Sequence, residues 1–441
     1  MNEGTQPVEE LKISVEAALG IAIDFHKLGK VEDAVEVYEV LLSAYPDYPD
    51  AVHYLGVAKH QLGDSEDAIE LLKRSLELAP GNVNAINNLG NIYRELGKLE
   101  HAEECYRDVL ALAPQHVDTL INMAVSLRGL KKTDEALKVV KGALEINPEH
   151  PQAWHNLGNI YRDQKQYDDA LSAYQKSVML DPADEDSSLE VARIMALSGR
   201  QDDAIEVLKR FLKRHPENAI ARHTLASVGG EDIPDRASDA YVRTTFDNYA
   251  KSFDESLARL EYIAPRKVAD EVLAFAGDRQ LDVLDVGCGT GLCGPLLRPV
   301  ANSLVGIDLS SAMLKKAQQR EVYDDLAEAE LTTYLLAADA QYDVIICVDT
   351  LVYFGKIDEA IAAASKCLRA GGCLVFTLER HGVDVSMEDF RLQHHGRYSH
   401  SDEYVTQTIA ASGLKLERLE HIVPRKELGE PVSGALIVAY K

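Results

Sequence analysis

The chain has 441 residues, 46% of them hydrophobic and 27% charged. That is a globular composition, long enough for two or three domains with separate cores. The formal charge of −26 argues against a nucleic-acid substrate, because a phosphate backbone would be repelled over most of the surface.

The first residues, MNEGTQPVEELK, offer neither the basic nor the apolar region of a secretory signal. No run of about 18 apolar residues suggests a membrane span. The six cysteines (105, 288, 293, 347, 367 and 373) show no CxxC pair and no metal-ligand spacing. They read as reduced, mostly buried residues of a cytosolic protein, and no metal site is expected. Residues 1–14 are taken as an N-terminal extension.

A repeat begins at residue 15. Pro46, Pro80, Pro114, Pro148, Pro182 and Pro216 are each 34 residues apart, and so are Ala34, Ala68, Ala102, Ala136, Ala170 and Ala204. Six copies therefore fill residues 15–218, each patterned as two amphipathic helices. Small residues at the eighth place (Gly56, Gly90, Ala124, Gly158, Ala192) allow close helix approach, and the proline ends the second helix. This 34-residue pattern resembles the tetratricopeptide repeat. The resemblance implies an all-α solenoid whose concave side takes a protein or peptide segment. Asn88, Asn122 and Asn156 would hold an extended backbone there, and Arg94, Arg128 and Arg162 would favour its carboxylates. The competing reading is that both rows are solvated and periodic only through duplication. Trp154, the sole tryptophan, is expected to be a core anchor.

Residues 219–225 read as a capping helix and 227–234 (SVGGEDIP) as a short linker, so residues 219–238 form the junction. In the segment 241–260, Phe246, Tyr249 and Phe253 share one helical face.

The α/β half spans residues 239–441. Leu281, Val283, Leu284 and Val286 make a buried strand. Gly287, Cys288, Gly289, Thr290 and Gly291 then turn without Cβ atoms at alternate positions, and a helix follows. Strand, glycine turn and helix open a nucleotide-binding sheet. Asp285 is placed to face a ligand amino group, and Asp308, ending a second apolar run, to meet ribose hydroxyls. VLDVGCGTG followed by GIDLSSAML closely resembles the class I S-adenosylmethionine-dependent methyltransferases. That resemblance implies a Rossmann-like domain with a seven-stranded sheet, six strands parallel and the last antiparallel. It also implies S-adenosylmethionine held by Asp285, Gly287, Cys288, Gly289, Gly291 and Asp308. Leu309, Met313 and Glu330 would lie near its adenine, Asp349 and Tyr353 near the methyl group, and Tyr249 with Phe253 would close the pocket. Ordinary helix packing is the plainer account of the last two.

Strands are expected at 326–329, at 342–348, within 368–378, and at 416–422 with 435–440. The segment 391–404, RLQHHGRYSHSDEY, brings His394, His395 and His400 to where substrate loops usually lie. One of them could serve as a base or a substrate contact, or the segment is a plain polar loop leading into a helix at 402–411. Over the whole chain the pattern resembles bacterial tetratricopeptide-containing predicted methyltransferases, which share the helix at 246–253, DxLVYFG and RYxHS. The function so implied is methyl transfer, with the solenoid recruiting a protein substrate or partner. A small-molecule methyltransferase with a scaffolding solenoid, and a non-catalytic cofactor-binding adaptor, are the alternatives.

Overall fold

The computed structural model describes residues 14–229, 233–338, 341–381, 388–427 and 429–441. Residues 1–13 of the expected extension and 230–232 of the expected linker lie outside the described residues. The chain divides into two compact units, Met1–Ile160 and Tyr161–Lys441.

The first unit is helical: α1 (Val15–Lys27), α2 (Val31–Ala44), α3 (Pro49–Gln61), α4 (Ser65–Leu78), α5 (Val83–Glu95), α6 (Leu99–Leu112), α7 (Val117–Gly129), α8 (Thr133–Ile146) and most of α9 (Pro151–Asp163). Helices pack in consecutive pairs because the repeat supplies a small residue at each crossing. Ala34, Ala68, Ala102 and Ala136 have no exposed surface. A Cβ on Gly90 would stand 2.7 Å from Tyr106 Cε1. Tyr45, Ala79 and Ala113, each just before the repeat proline, leave the helical region with ψ of 76, 77 and 79°, as the proline ring demands. The turn inside each pair needs a left-handed residue. Gly29, Gly63 and Gly97 supply it, and Lys131 holds the same place with φ 59°. Trp154 is only partly buried and its indole donates to the Pro148 carbonyl at 2.8 Å. It caps a turn rather than filling the core, because its N–H needs a partner.

The second unit continues with α10 (Tyr167–Leu180), α11 (Glu185–Leu197), α12 (Gln201–Arg214) and α13 (Ala219–Ser227). Then come α14 (Asp239–Tyr249), α15 (Phe253–Arg259), α16 (Ala264–Ala276), β1 (Leu281–Val286), α17 (Gly294–Leu297), β2 (Ala301–Asp308), α18 (Ser311–Gln318), β3 (Asp325–Glu328), α19 (Leu331–Ala337), β4 (Tyr342–Cys347), α20 (Asp358–Cys367) and β5 (Leu368–Arg380). The chain ends through β6 (Phe390–Leu392), β7 (Tyr398–His400), α21 (Asp402–Ala411), β8 (Lys415–Ile422), β9 (Lys426–Glu427), β10 (Glu430–Pro431) and β11 (Gly434–Tyr440).

The main sheet runs β3-β2-β1-β4-β5-β11-β8, and among these seven β11 runs against the other six. Side chains alternate between two buried layers, as period-two geometry requires. Val283, Val344, Ile346 and Leu436 pack with Val268 and Val272 of α16. Leu284, Ile345, Phe376 and Ile437 pack with Leu335, Ile361 and Ile409 of α19, α20 and α21.

β6 and β7 form where the sequence suggested a substrate loop, and β7 runs parallel beside the end of β5, Glu379 opposite Ser399. Tyr398, Ser399 and His400 are buried, so strand pairing satisfies their backbone where a loop could not. Helix α13 meets this hairpin. His223 lies 2.7 Å through Nε2 from the Gly396 carbonyl and stacks on Tyr241 at 3.9 Å. Ala226 joins Leu392 and Tyr398 in a small apolar cluster. Among the described residues no helix is long and apolar enough to cross a membrane.

Candidate functional site

The site grows from the carboxyl ends of β1 and β2, neighbours in parallel register. The backbone N–H groups of Gly287 and Cys288 both donate to Ile307 O, at 2.8 and 2.9 Å, which folds the loop back across β2. Gly287, Gly289 and Gly291 have φ of 69, 56 and 80°. Two of the three are glycine for packing as well. A Cβ on Gly287 would lie 2.2 Å from Thr350 Oγ1, and one on Gly291 would lie 2.8 Å from Tyr323 Cε2. Gly289 differs, because a Cβ there would find only Phe253 Cε1, at 4.0 Å. A cradle with room for a Cβ therefore remains between Gly289 and the Phe253 ring.

Two carboxylates flank it. Asp285 is buried and accepts from Tyr323 Oη at 2.7 Å. Burial raises its pKa to about 7, opposed by the Tyr323 bond and assisted by Asp308. Asp308 accepts from the Gly289 and Ser310 N–H groups at 2.9 and 2.8 Å, and burial raises it too. Two desolvated carboxyl groups side by side suit a cationic ligand that also offers hydroxyls.

A helical cover lies over the loop. Asp247 of α14 accepts from Ser310 Oγ at 2.6 Å. Asp254 of α15 accepts from Thr290 Oγ1 at 2.5 Å and pairs with Arg320, which also donates to Thr290 O. An aromatic chain continues inward: Phe253 to Phe246 at 6.0 Å, Phe246 to Tyr353 at 5.5 Å, and Tyr353 to Tyr241 at 6.5 Å. The sequence pattern singled out the aromatic face and missed Asp247 and Asp254. The signal was present in the paired Phe-Asp at 246–247 and 253–254.

Several expected contacts fall elsewhere. Tyr249 is 55% exposed, so Phe253 rather than Tyr249 covers the cradle; α14 ends at that residue and its ring turns to solvent. Met313, on the buried face of α18, has no exposed surface, while Leu309 is partly exposed and its carbonyl accepts from Arg243. Glu330 caps α19, its oxygens accepting from Thr332 N and Thr333 N at 3.0 and 2.8 Å. β3 ends two residues earlier, and Glu328 is the carboxylate beside Asp308 in the sheet.

The other side of the site is the end of β4 and β5. Asp349 takes φ 52°, a conformation costly for a residue with a Cβ. Thr377 holds it, accepting from its N–H at 2.8 Å and donating to its Oδ1 at 2.9 Å. Arg425 binds Asp349 Oδ2 at 2.5 Å, Glu427 Oε1 at 2.7 Å, and Glu379. Arg397 binds Glu379 at 2.6 Å and both oxygens of Glu427 at 2.7 and 2.8 Å. Burial opposes ionisation of Glu427, yet the two guanidinium groups hold its pKa down to about 2. Tyr353 borders this cluster, its phenol pushed up by burial against Arg397 and Arg425.

The three histidines do not converge. His394 is exposed. His395 lies 3.5 Å from Glu379 Oε2. His400 is 1% exposed, stacks on Tyr404, and lies 3.0 Å through Nε2 from the Gly355 carbonyl. Burial pushes its pKa to about 4, so it is neutral and donates to that carbonyl. With its proton committed and its ring enclosed, His400 has no path to a substrate. On this side of the site, among the described residues, sequence reading also missed Arg425, Glu379 and Glu427.

The proposed groove residues are engaged within their own unit. Asn88 Nδ2 lies 2.8 Å from Nε2 of buried His53, which burial depresses to about pKa 4. Asn122 donates to Asn91 at 3.0 Å, and buried Asn156 to Gln152 O at 2.9 Å. In the second unit Arg162 pairs with Glu190 at 2.6 Å. Arg94 and Arg128 are half-buried, and Arg94 Nε has no hydrogen-bond partner among the described residues.

Comparison with known proteins matches residues 284–374 to the family described as Methyltransferase domain. Tetratricopeptide repeat families match residues 16–48, 47–115, 93–160, 151–184 and 186–218. Malonyl-[acyl-carrier protein] O-methyltransferase of Pseudescherichia vulneris is 31% identical over 177 residues, 38% of this chain and 67% of the relative. The protein of that name from Priestia megaterium is 25% identical over 188 residues, 41% of this chain and 65% of the relative. The Ubiquinone biosynthesis O-methyltransferase of Thiobacillus denitrificans is 33% identical over 106 residues, 22% of this chain and 45% of the relative. The chain thus spans about two thirds or less of the length of these relatives.

Proposed function

The chain belongs to the S-adenosylmethionine-dependent methyltransferases that carry tetratricopeptide repeats, and on that premise we propose that it methylates an oxygen of a small acidic acceptor. The observation that carries the donor half is the cradle at Gly289, open beneath Phe253 and flanked by Asp285 and Asp308. Those residues fit the donor: Asp285 toward its ammonium, Asp308 toward the ribose hydroxyls, and the glycine loop against the methionine part. When bound, S-adenosylmethionine supplies a methyl group on a sulfonium; the acceptor oxygen forms the new C–O bond, the C–S bond breaks, and a neutral thioether leaves.

The chain's own residues orient and exclude water. Phe246, Phe253 and Tyr353 wall the space, and Asp247 and Asp254 fasten the cover. Holding the reacting groups in line is the main catalytic task with so reactive a donor. An ionised carboxylate, with an ordinary pKa near 4, needs no base. That agrees with a site in which His400 is enclosed and His395 sits beside Glu379. The named relatives are O-methyltransferases, which favours oxygen over nitrogen as acceptor.

A second reading gives the repeats a part. Tetratricopeptide repeats mediate protein–protein contacts; in this reading the array brings a protein that carries or is the acceptor. The six cysteines are all free, five of them buried, which accords with a reducing, cytoplasmic setting.

The test is calorimetric titration with S-adenosylmethionine and S-adenosylhomocysteine, beside Asp308→Ala. Micromolar affinity, about −8 kcal/mol, lost tenfold or more in the variant is the expected result. Methyl-labelled donor then separates small-molecule from protein acceptors in a fractionated lysate. No binding by the folded protein would refute the enzyme reading.

A further inference from the structure

We infer that Arg397 and Arg425 form the receptor for a carboxylate of the acceptor, and that Glu427 occupies it as an internal stand-in. The inference rests on the methyltransferase reading above and names the chemistry of its acceptor side.

Both guanidinium groups are nearly enclosed, with side chains 5% exposed at Arg425 and 17% at Arg397. They stand at the ends of β4 and β5, against Asp349 and beside Tyr353. Three carboxylates satisfy them, but the three are not equivalent. Glu379 belongs to β5 and is 5% exposed; Asp349 follows β4 directly, is 18% exposed, and is pinned by Thr377. Glu427 sits on the two-residue strand β9, which pairs only with β10 in a ribbon separate from the main sheet. Its side chain is 32% exposed, and it lines a cavity of about 410 Å³ together with Glu379 and His395.

Arg397 grips Glu427 through both carboxylate oxygens, and Arg425 adds a third bond. The two bonds from Arg397 leave one terminal nitrogen, while its Nε holds Glu379, so Glu427 sits between two guanidinium groups that are each shared with a carboxylate of the sheet end. The charges agree with exchange. Two guanidinium groups face three carboxylates, so a ligand carboxylate in place of Glu427 would leave the count of charges unchanged. A cation would have to strip a bound guanidinium from a carboxylate fixed in the sheet. A neutral group would leave two guanidinium groups short of acceptors, which is costly in an enclosed site. Glu427 both lines the cavity and touches the two guanidinium groups, so a carboxylate that replaced its own would reach them from the cavity.

Calorimetry on the full chain tests this, with succinate and glutarate as probes and their diamides as neutral isosteres, run with and without S-adenosylhomocysteine. Wild type should take up the dicarboxylates weakly and the diamides not at all. Glu427→Gln should bind the dicarboxylates at least tenfold more tightly, and Arg397→Ala added to it should abolish the gain. A Glu427→Gln protein that unfolds like wild type, binds S-adenosylhomocysteine and gains no carboxylate affinity overturns the inference. Should that variant not fold, Arg397→Lys replaces it: a tenfold weaker response than wild type supports the receptor. An equal response, or none from either protein, overturns it. Failure to bind S-adenosylhomocysteine strikes the methyltransferase reading instead, since the carboxylate arm is also run without it.

Discussion

Gly287 and Gly289 share a loop and a left-handed backbone, yet alanine at the two positions should damage different properties. A left-handed conformation costs an L-residue roughly 1–2 kcal/mol, so each variant carries at least that strain. At Gly289 nothing is added, because the new methyl meets only Phe253 Cε1 at 4.0 Å. Gly289→Ala should therefore lower the melting temperature of the second unit by only about 2–8 °C. Its methyl fills the cradle, and affinity for S-adenosylhomocysteine should fall at least tenfold. At Gly287 the methyl would lie 2.2, 2.5 and 2.8 Å from three atoms of Thr350. Thr350 must then leave its contacts with the Val286 and Val348 carbonyls. Overpacking of this kind adds about 1–3 kcal/mol, so Gly287→Ala should lose roughly 2–5 kcal/mol in all. Thermal unfolding and calorimetry on both variants check the split. A stable Gly289→Ala that binds like wild type would show that the cradle is not where the donor lies.

Three further outcomes follow from the same geometry. Asp285 has its pKa raised to about 7, and a cationic ligand must meet it ionised, so donor affinity should fall about tenfold per pH unit below 7; titrations at several pH values should show this slope in wild type and none in Asp285→Asn. Asp254→Asn removes the clamp on Thr290 and Arg320 and should weaken S-adenosylhomocysteine several-fold with little change in melting temperature. In the first unit, Lys131→Gly relieves a left-handed lysine and should stabilise by about 0.5–1 kcal/mol, seen as a higher urea midpoint.

The solenoid was legible because a fixed period writes the same packing six times, and Ala34, Ala68 and Ala102 are buried for one shared reason. The glycine loop was legible because only glycine fits at Gly287 and Gly291, so packing and sequence coincide there. The charge cluster at the ends of β4 and β5 was not. Arg397, Arg425, Glu379 and Glu427 come from separated elements, and a charge at a strand end looks solvated until the chain closes over it. Periodicity did not show what the asparagines touch: Asn88, Asn122 and Asn156 repeat faithfully, and their amides bond His53, Asn91 and Gln152. Adjacency in sequence did not show burial either: it put His400 into strand β7, where pairing beside β5 enclosed it.

The bond between His223 and Gly396 bears on where the protein can be cut. The natural place to sever the repeats from the α/β half is after residue 218 or before residue 239, where the 34-residue pattern ends. A fragment beginning at residue 239 would lack α13 and bare Leu392 and Tyr398, leave the Gly396 carbonyl without its imidazole, and strip Tyr241 of its stacking partner. Such a fragment should express as a sticky, poorly soluble domain. One that starts ahead of α13 and keeps that helix retains the seal, and is the shorter piece worth making.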